Sequence, residues 1–349
     1  MRIPAYRVFE EVRPTGIPWN IQMVNAPSFW EKSKGNGRVV AVIDTGCQID
    51  HPEFEGRIIN PRNMVGSSKS ADVTDKIGHG THVCGIIAGK STGVAPQARI
   101  MPFKVDTPSG FLDNLAIHNS FKEIIKWNET CTESDRVVAV NCSFGSSFYD
   151  AIMAYYIRML TAEGVVVCVA VGNSGDGNPE THECFSYPAF IYEVVTVSSI
   201  AKDGKIAFYS NSFDGIDLAA PGTDIYSAWP GNTYKTISGT SMATPHVTGA
   251  VALLADVFYQ REGRCSVEGE MDATVPHLKA AEGVLFKHIK PVPAGSSYLY
   301  GRGILDLTFN NNKWALNRVQ VGAFYHPSGA QNLVKRINQA GFPAYRIKY

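Results

Sequence analysis

Residues 38–46 read RVVAVIDTG, and this stretch decides the predicted fold. An apolar run that ends in a turn is typical of a strand buried on both faces of a sheet. Three further segments have the same character: 136–145 (RVVAVNCSFG), 165–173 (VVVCVAVGN) and 194–199 (VVTVSS). Between them, 113–129 and 149–164 carry apolar residues at helical spacing. Strands that alternate with helices in this way predict an α/β fold with a parallel sheet covered on both faces.

Composition and charge indicate what type of protein this is and which partners it is expected to have. The 349 residues are 44% hydrophobic and 18% charged, which is typical of a globular protein with a large core. Lys and Arg (32) balance Asp and Glu (32), so nothing favours nucleic-acid or anionic-membrane partners. The N-terminus lacks the apolar segment of a secretory signal, and no apolar run has the length of a membrane span. Seven cysteines, several inside apolar runs and without a CxxC pair, favour free thiols in a reducing compartment.

Three of the predicted strands end in polar residues. These are Asp44, the segment Asn141–Ser143, and Asn173. In open α/β sheets, functional sites collect at the carboxyl ends of the strands. The sequence therefore predicts a site at this edge of the sheet.

Three segments carry the residue types of nucleophilic catalysis. Asp44 lies in AVIDTG, His79 in GHGTHVCG, and Ser241 in GTSMATPH. A serine hydroxyl becomes a nucleophile when a base takes its proton and a third group orients that base. Each segment alone has an ordinary explanation, as a strand end, a histidine pair near a helix start, or a helix cap. Their joint occurrence on an α/β frame favours the catalytic interpretation.

These segments resemble the signatures of the subtilisin-like serine proteases, over about residues 15–310. The resemblance implies a three-layer fold with a mostly parallel central sheet and helices on both faces. It also implies a serine endopeptidase that works through an acyl-enzyme intermediate, with His79 as base and then acid. Asn173, in VGNSG, matches the family's oxyanion asparagine, and the backbone N–H of Ser241 would be the second donor. No cofactor is required for this chemistry.

The same resemblance implies a substrate cleft with backbone pairing, broad specificity and a hydrophobic preference. One wall of the pocket for the side chain before the scissile bond would be Ser143, Phe144 and Gly145, and the other Ala170, Val171 and Gly172. An edge strand at PSGF, with Ser109 and Gly110, would pair with the substrate backbone. His82 and His246 are expected to be packed, hydrogen-bonded residues rather than catalytic ones.

The start of the chain, RIPAYRVFE, resembles the short extension of the intracellular subtilisins, matched by Ile3-Pro4-Ala5-Tyr6. That branch implies a cytoplasmic zymogen whose extension covers the active site. We therefore expect an inhibitory extension at 1–18 and a catalytic domain at 19–315. The alternative is that the first 15 residues form a loose terminus.

Metal binding is expected to depart from the family pattern. HVCGIIAGKSTGVAP passes directly from the histidine helix to GVAP, which leaves too short a loop to wrap calcium. Glu53, in HPEF, also replaces the aspartate that usually contributes there. We expect the tight calcium site to be absent. A weaker structural calcium site near 184–203, with Asp203, stays open, and no metal ligand is assigned.

The C-terminal segment 316–349 reads β-α-β and resembles half of a SPOR domain, a peptidoglycan-binding module. Because a lone unit has exposed edges, we expect it to pack on the catalytic domain; pairing in a homodimer and peptidoglycan binding are the alternatives. A surface insertion with a helix at 275–289 precedes it. Protein or peptide substrates are the expected partners, without nucleic acid or membrane. The rival functions are a binding protein on an inactive protease scaffold and an envelope-directed protease.

Overall fold

The structure is a computed structural model of the chain. It describes residues 7–9, 16–66, 70–178, 181, 186–262, 285, 288–292 and 296–308. The expectations for 316–349, for most of the helix at 275–289 and for most of the first 15 residues lie outside these residues. The domain boundaries stay predictions.

A mostly parallel sheet forms the centre of the molecule. Within the described residues it has nine strands in the order β11-β12-β8-β7-β6-β5-β2-β4-β3. The pairs are parallel except for β11 with β12, which is antiparallel. The bounds are β2 Val39–Asp44, β3 Arg62–Asn63, β4 Arg99–Lys104, β5 Val137–Cys142, β6 Val166–Ala170, β7 Val195–Ile200, β8 Leu218–Pro221, β11 Ile289–Lys290 and β12 Ile304–Leu305. The predicted parallel α/β sheet is confirmed.

A smaller antiparallel sheet lies beside it and contains the first described residues of the chain. Its order is β1-β10-β9, with bounds β1 Arg7–Phe9, β9 Ile225–Trp229 and β10 Thr233–Ser238. The end of β10 leads through Gly239 directly into the helix that carries Ser241. This sheet therefore borders the region where the site was predicted.

Helices cover both faces of the central sheet. Their bounds are α1 Trp19–Met23, α2 Ala26–Phe29, α3 His79–Ala88, α4 Asn114–Thr130, α5 Ala151–Ala162, α6 Thr240–Glu262 and α7 Ser297–Tyr300. Along β2, Val40 and Val42 point into the core shared with α1, α2, α3 and α6. Val39, Ala41 and Ile43 point into the core shared with α4 and α5. The period-two alternation of a strand buried on both faces thus builds the three layers.

The cysteines and the helices agree with what the sequence predicts for the described residues. The five cysteines among the described residues are free thiols: Cys47, Cys84, Cys131, Cys142 and Cys168. Among the helices that the structure describes, none combines the length and the apolar character that a bilayer crossing requires.

Candidate active site

The carboxyl end of β2 and the start of α3 bring Asp44 and His79 into contact. His79 Nδ1 lies 2.7 Å from Asp44 Oδ1, and both side chains are buried. The N–H of Thr45 donates to the same oxygen at 2.7 Å. Because a carboxylate oxygen only accepts, Nδ1 carries the proton of the neutral ring, and Nε2 is the nitrogen that can act as a base.

A glycine permits this close approach of helix and strand. A Cβ built at Gly80 would lie 2.1 Å from the carbonyl oxygen of Gly46 and 3.2 Å from Asp44 Cβ. Any larger residue would push the first turn of α3 away from the turn after β2. The glycine in HGTH therefore sets the distance between His79 and Asp44.

Asp75, which the sequence analysis missed, fixes the loop before His79. Its Oδ1 accepts from Gly78 N at 2.7 Å and from Ile77 N at 3.1 Å. Its Oδ2 accepts from the N–H and the hydroxyl of Thr81 at 2.8 and 2.7 Å. A buried carboxylate at a helix N-terminus satisfies donors that have no partner within the helix. The acidic residue four positions before His79 is the signal that could have revealed it.

Ser241 joins the site through the neighbouring strand. β2 and β5 are paired with Val42 opposite Asn141, so Asp44 and Ser143 lie at the same level of the sheet. Ser241 Oγ donates to the carbonyl oxygen of Ser143 at 3.1 Å. The serine hydroxyl is thus directed at Ser143, and its hydrogen bond with His79 stays a prediction. Catalytic hydrogen bonds commonly form only once substrate is bound.

Asn173 lies against the start of α6. Its Oδ1 accepts from the N–H of Thr240 at 2.9 Å and from the hydroxyl of Thr240 at 2.7 Å. These two bonds identify Nδ2 as the donor end of the amide. A Cβ built at Gly239 would lie 3.1 Å from that Nδ2. The same Cβ would lie 3.7 Å from Ser241 N, so Asn173 Nδ2 and the backbone nitrogen of Ser241 both lie beside Gly239.

The residues predicted to form the pocket walls lie at the ends of β5 and β6. Cys142 pairs with Val169 in these two strands. The predicted walls, 143–145 and 170–172, come directly after these two residues and therefore lie side by side. The Phe144 side chain is buried in the core, and its contribution to the wall is its backbone. Ser186 lies beside both walls and is the candidate for the floor of the predicted pocket: a Cβ on Gly145 would lie 2.4 Å from Ser186 Oγ, and one on Gly172 would lie 3.4 Å from Ser186 Cβ.

Ser186 was missed because it comes from a distant loop, and the residues before it, 182–185, lie outside the described part. None of the side chains named for the walls and the floor is charged.

The expectation of an edge strand at PSGF was wrong for the structure as it stands. Ser109 and Gly110 lie in an exposed turn, closed by Thr107 N donating to Phe111 O at 2.8 Å. Gly110 has a φ of +80°, which favours glycine and interrupts an extended strand. Contact of this turn with substrate stays a prediction.

The other two histidines are packed as expected. His82 Nε2 donates to the carbonyls of Ile225 and Lys235, both at 3.0 Å, and burial lowers its pKa to about 3. His246 Nδ1 donates to Met242 O, its Nε2 accepts from Asn20, and burial lowers its pKa to about 4. Both rings are therefore neutral at physiological pH, and neither takes part in the Asp44–His79 pair.

The carboxylate of Glu53 is bonded entirely within the protein. It accepts from Ser91 N at 2.7 Å, from the Ser91 hydroxyl, and from Tyr234 Oη at 2.9 Å. Asp203 is paired with Lys205 at 3.3 Å on the surface. Among the described residues there is no cluster of three side chains suited to a metal ion.

Comparison with known proteins gives consistent matches. A sequence model of the Subtilase family matches residues 35–281. An intracellular serine protease of Paenibacillus polymyxa is 36% identical over 314 residues, covering 88% of this chain and 90% of the relative. The major intracellular serine protease of Bacillus subtilis (strain 168) is 33% identical over 312 residues, covering 86% and 93%. Thermitase of Thermoactinomyces vulgaris is 32% identical over 240 residues, covering 67% and 80%. These comparisons give no support to the SPOR-like interpretation of 316–349.

Proposed function

Because this chain belongs to the subtilase family and is a serine protease, we propose that it is an endopeptidase whose nucleophile is Ser241 and whose base is His79. The observation that carries the proposal is the buried hydrogen bond of 2.7 Å between His79 Nδ1 and Asp44 Oδ1. That bond orients the ring and stabilises the imidazolium that forms when His79 takes a proton.

The reaction follows in two halves. His79 Nε2 removes the proton from Ser241 Oγ as this oxygen bonds to the scissile carbonyl carbon. Asn173 Nδ2 and the N–H of Ser241 stabilise the negative oxygen of the tetrahedral intermediate. The C–N bond breaks as His79 gives its proton to the leaving amine, which leaves an acyl group on Ser241. A water, deprotonated by His79, then releases the acid product and restores the serine.

Specificity follows from the pocket. Its named walls and floor offer glycine backbone, small side chains and the neutral hydroxyl of Ser186, which suits apolar side chains better than charged ones. Backbone pairing along the cleft recognises no particular side chain. We therefore assign broad specificity with a hydrophobic preference.

The strand β1 supports an inhibitory role for the N-terminal extension. β1 runs antiparallel to β10 with Arg7 opposite Ser238, three residues before Ser241. The N-terminal end of β1 therefore faces the end of β10 that leads to Ser241. Six extended residues span about 20 Å, whereas three span about 10 Å, so residues 1–6 are long enough to cross the site. Pro4 lacks the N–H that a well-paired substrate strand would use.

Two further proposals concern the location of the enzyme and its need for calcium. The names of two relatives, and the free cysteines, support a cytoplasmic location. The internal hydrogen bonds of Glu53 support a loop after α3 that needs no calcium ion. Pairing into a homodimer and peptidoglycan binding stay predictions.

Covalent labelling tests the proposal. Phenylmethylsulfonyl fluoride should add one sulfonyl group, and peptide mapping should place it on Ser241. The Ser241→Ala chain should take up none, and denatured wild type serves as the control for non-specific reaction. The chain without residues 1–18 is used as the wild type here, so that the extension does not block the serine. Labelling at any other residue, or none on this folded chain, would contradict the assignment of the nucleophile.

A further inference from the structure

Helix α6 contains a proline four residues after the nucleophile. In an α-helix the N–H of residue i+4 donates to the carbonyl of residue i, so the carbonyl of Ser241 would be served by residue 245. That residue is Pro245, which has no N–H and whose ring crowds the same carbonyl. The carbonyl of Ser241, although buried, therefore needs a donor from outside its helix.

Ser143 supplies that donor. Its hydroxyl donates to the carbonyl oxygen of Ser241 at 2.9 Å, while Ser241 Oγ donates back to the carbonyl of Ser143 at 3.1 Å. Two reciprocal hydrogen bonds thus join the nucleophile to the end of β5. The side chain of Ser143 is fully buried, so it acts on Ser241 and leaves only its backbone for the pocket wall.

Two more buried side chains fix the direction of the Ser143 hydroxyl. Asn141 Nδ2 donates to Ser143 Oγ at 2.9 Å, so the hydroxyl hydrogen must point elsewhere, toward Ser241. Thr248 Oγ1, two turns further along α6, donates to Asn141 Oδ1 at 2.9 Å and so determines which end of the amide faces Ser143. The same threonine hydroxyl lies 3.2 Å from the carbonyl of Thr244, the longer of its two contacts. The three side chains of this hydrogen-bonded series, those of Thr248, Asn141 and Ser143, are fully buried.

We propose that Thr248, Asn141 and Ser143 form a positioning relay, which replaces the helix hydrogen bond that Pro245 cannot supply and so sets the peptide of the nucleophile. The inference rests on the proposed function of Ser241. The carbonyl of Ser241 belongs to the peptide unit that it shares with Met242. A hydrogen bond to this carbonyl restrains the backbone of Ser241, on which the directions of its Oγ and of its N–H, the second oxyanion donor, both depend. The three are positioning residues, since they touch Ser241 or each other.

A double-mutant cycle tests the replacement directly. Pro245→Ala restores an N–H at position 245, so it should make the Ser143 hydroxyl dispensable. In the full chain, we expect Ser143→Ala to lower kcat about tenfold with KM changed less than about twofold, the size expected for one buried hydrogen bond. In the Pro245→Ala background the same substitution should lower kcat less than about threefold. Equal losses in both backgrounds would overturn the inference.

The far end of the relay has a matched control on the same helix. Thr248→Val removes the hydroxyl at nearly constant volume and should lower kcat several-fold, while Thr248→Ser should restore it. Thr244→Val is the control, because the Thr244 hydroxyl bonds to the carbonyl of Thr240 at 2.9 Å, within its own helix. If the two valine variants lose the same amount of activity, the relay has no specific role.

A thermal-unfolding cycle separates this inference from the proposed function. Ser143→Ala should lower the Tm more in the wild-type background than in the Pro245→Ala background, whether or not the chain hydrolyses peptides. A wild type that shows neither peptidase activity nor Ser241 labelling, both as the full chain and without residues 1–18, would defeat the proposed function and, with it, the catalytic part of the relay. If the wild type is active but the effects of Ser143→Ala and Pro245→Ala on kcat and Tm simply add, the relay is contradicted and the proposed function stands.

Discussion

Asn173 and Thr240 are joined by two hydrogen bonds to one oxygen, from the backbone N–H and the hydroxyl of Thr240 to Asn173 Oδ1. Thr240, the residue that precedes the proposed nucleophile Ser241, therefore orients the side chain proposed to stabilise the oxyanion. Preorganised donors of this kind need no rearrangement as negative charge develops.

Asn173→Ala should lower kcat by about 10²–10³-fold with little change in KM, the loss typical of one oxyanion donor. Steady-state hydrolysis of a chromogenic peptide measures it. Thr240→Val, which removes one of the two bonds that orient the amide, should cause a smaller loss, and Thr240→Ser should remain near wild type. A loss in KM alone after Asn173→Ala would assign this side chain to substrate binding instead.

Asp44→Asn should lower kcat by about 10⁴-fold, because an amide that donates to His79 Nδ1 favours the wrong tautomer. The same assay measures it at neutral pH, with urea unfolding as the control for the integrity of the fold. Retention of most of the activity would show that Asp44 does not orient His79.

Ser186→Asp should move the preference toward Lys and Arg before the scissile bond. A carboxylate on the pocket floor, between Gly145 and Gly172, would attract a cationic side chain that the neutral pocket does not favour. The ratio of kcat/KM for Lys over Phe substrates should rise at least about tenfold. An unchanged ratio, with normal kcat on Phe substrates, would place the specificity pocket elsewhere.

Burial raises the pKa of Asp217 to about 7 from an ordinary 3.8, despite the hydrogen bond from Thr196 N at 2.7 Å. Between about pH 4 and pH 7 the unfolded chain has released this proton and the folded chain still holds it. Asp217 therefore makes the free energy of unfolding fall as pH rises through this window, with no further change above it.

Asp217→Asn should remove this contribution. Urea unfolding at pH 5 and pH 8 measures the free energy of unfolding of wild type and variant, which share all other titrating groups. The variant should lose less stability than wild type between these pH values. A parallel pH dependence in both chains would show that Asp217 ionises normally in the fold.

Glu53 should make the loop after α3 independent of calcium. We expect a chelator to leave the Tm of wild type unchanged and Glu53→Ala to lower it, since Ser91 and Tyr234 would lose their acceptor. Glu53→Gln serves as the matched control. A chelator-induced fall in wild type that is absent in Glu53→Gln would tie a cation to this carboxylate.

Local sequence predicted the parallel sheet well, because strands buried on both faces read as continuous Val and Ile runs, as in 38–46 and 165–173. The sequence also identified the candidate site residues, because each lies in a short distinctive motif. These residues are Asp44, His79, Asn173 and Ser241.

Other features depend on tertiary structure and were missed. Ser186 comes to lie beside Gly145 and Gly172 only when a distant loop folds against them. The sequence around Ser109 and Gly110 was interpreted as an extended strand, because the positive φ of Gly110 cannot be seen in the sequence. The role of Pro245 appears only once Ser143 is seen to serve the carbonyl of Ser241.

Ser241 is proposed to be an active nucleophile under control of the N-terminal extension. The most direct measurement is casein hydrolysis by three preparations: the full chain, the chain without residues 1–18, and Ser241→Ala in both lengths. The account predicts low activity for the full chain, a large gain on truncation, and none for either Ser241→Ala chain. An inactive truncated chain that still binds peptide would contradict the account and favour an inactive protease scaffold.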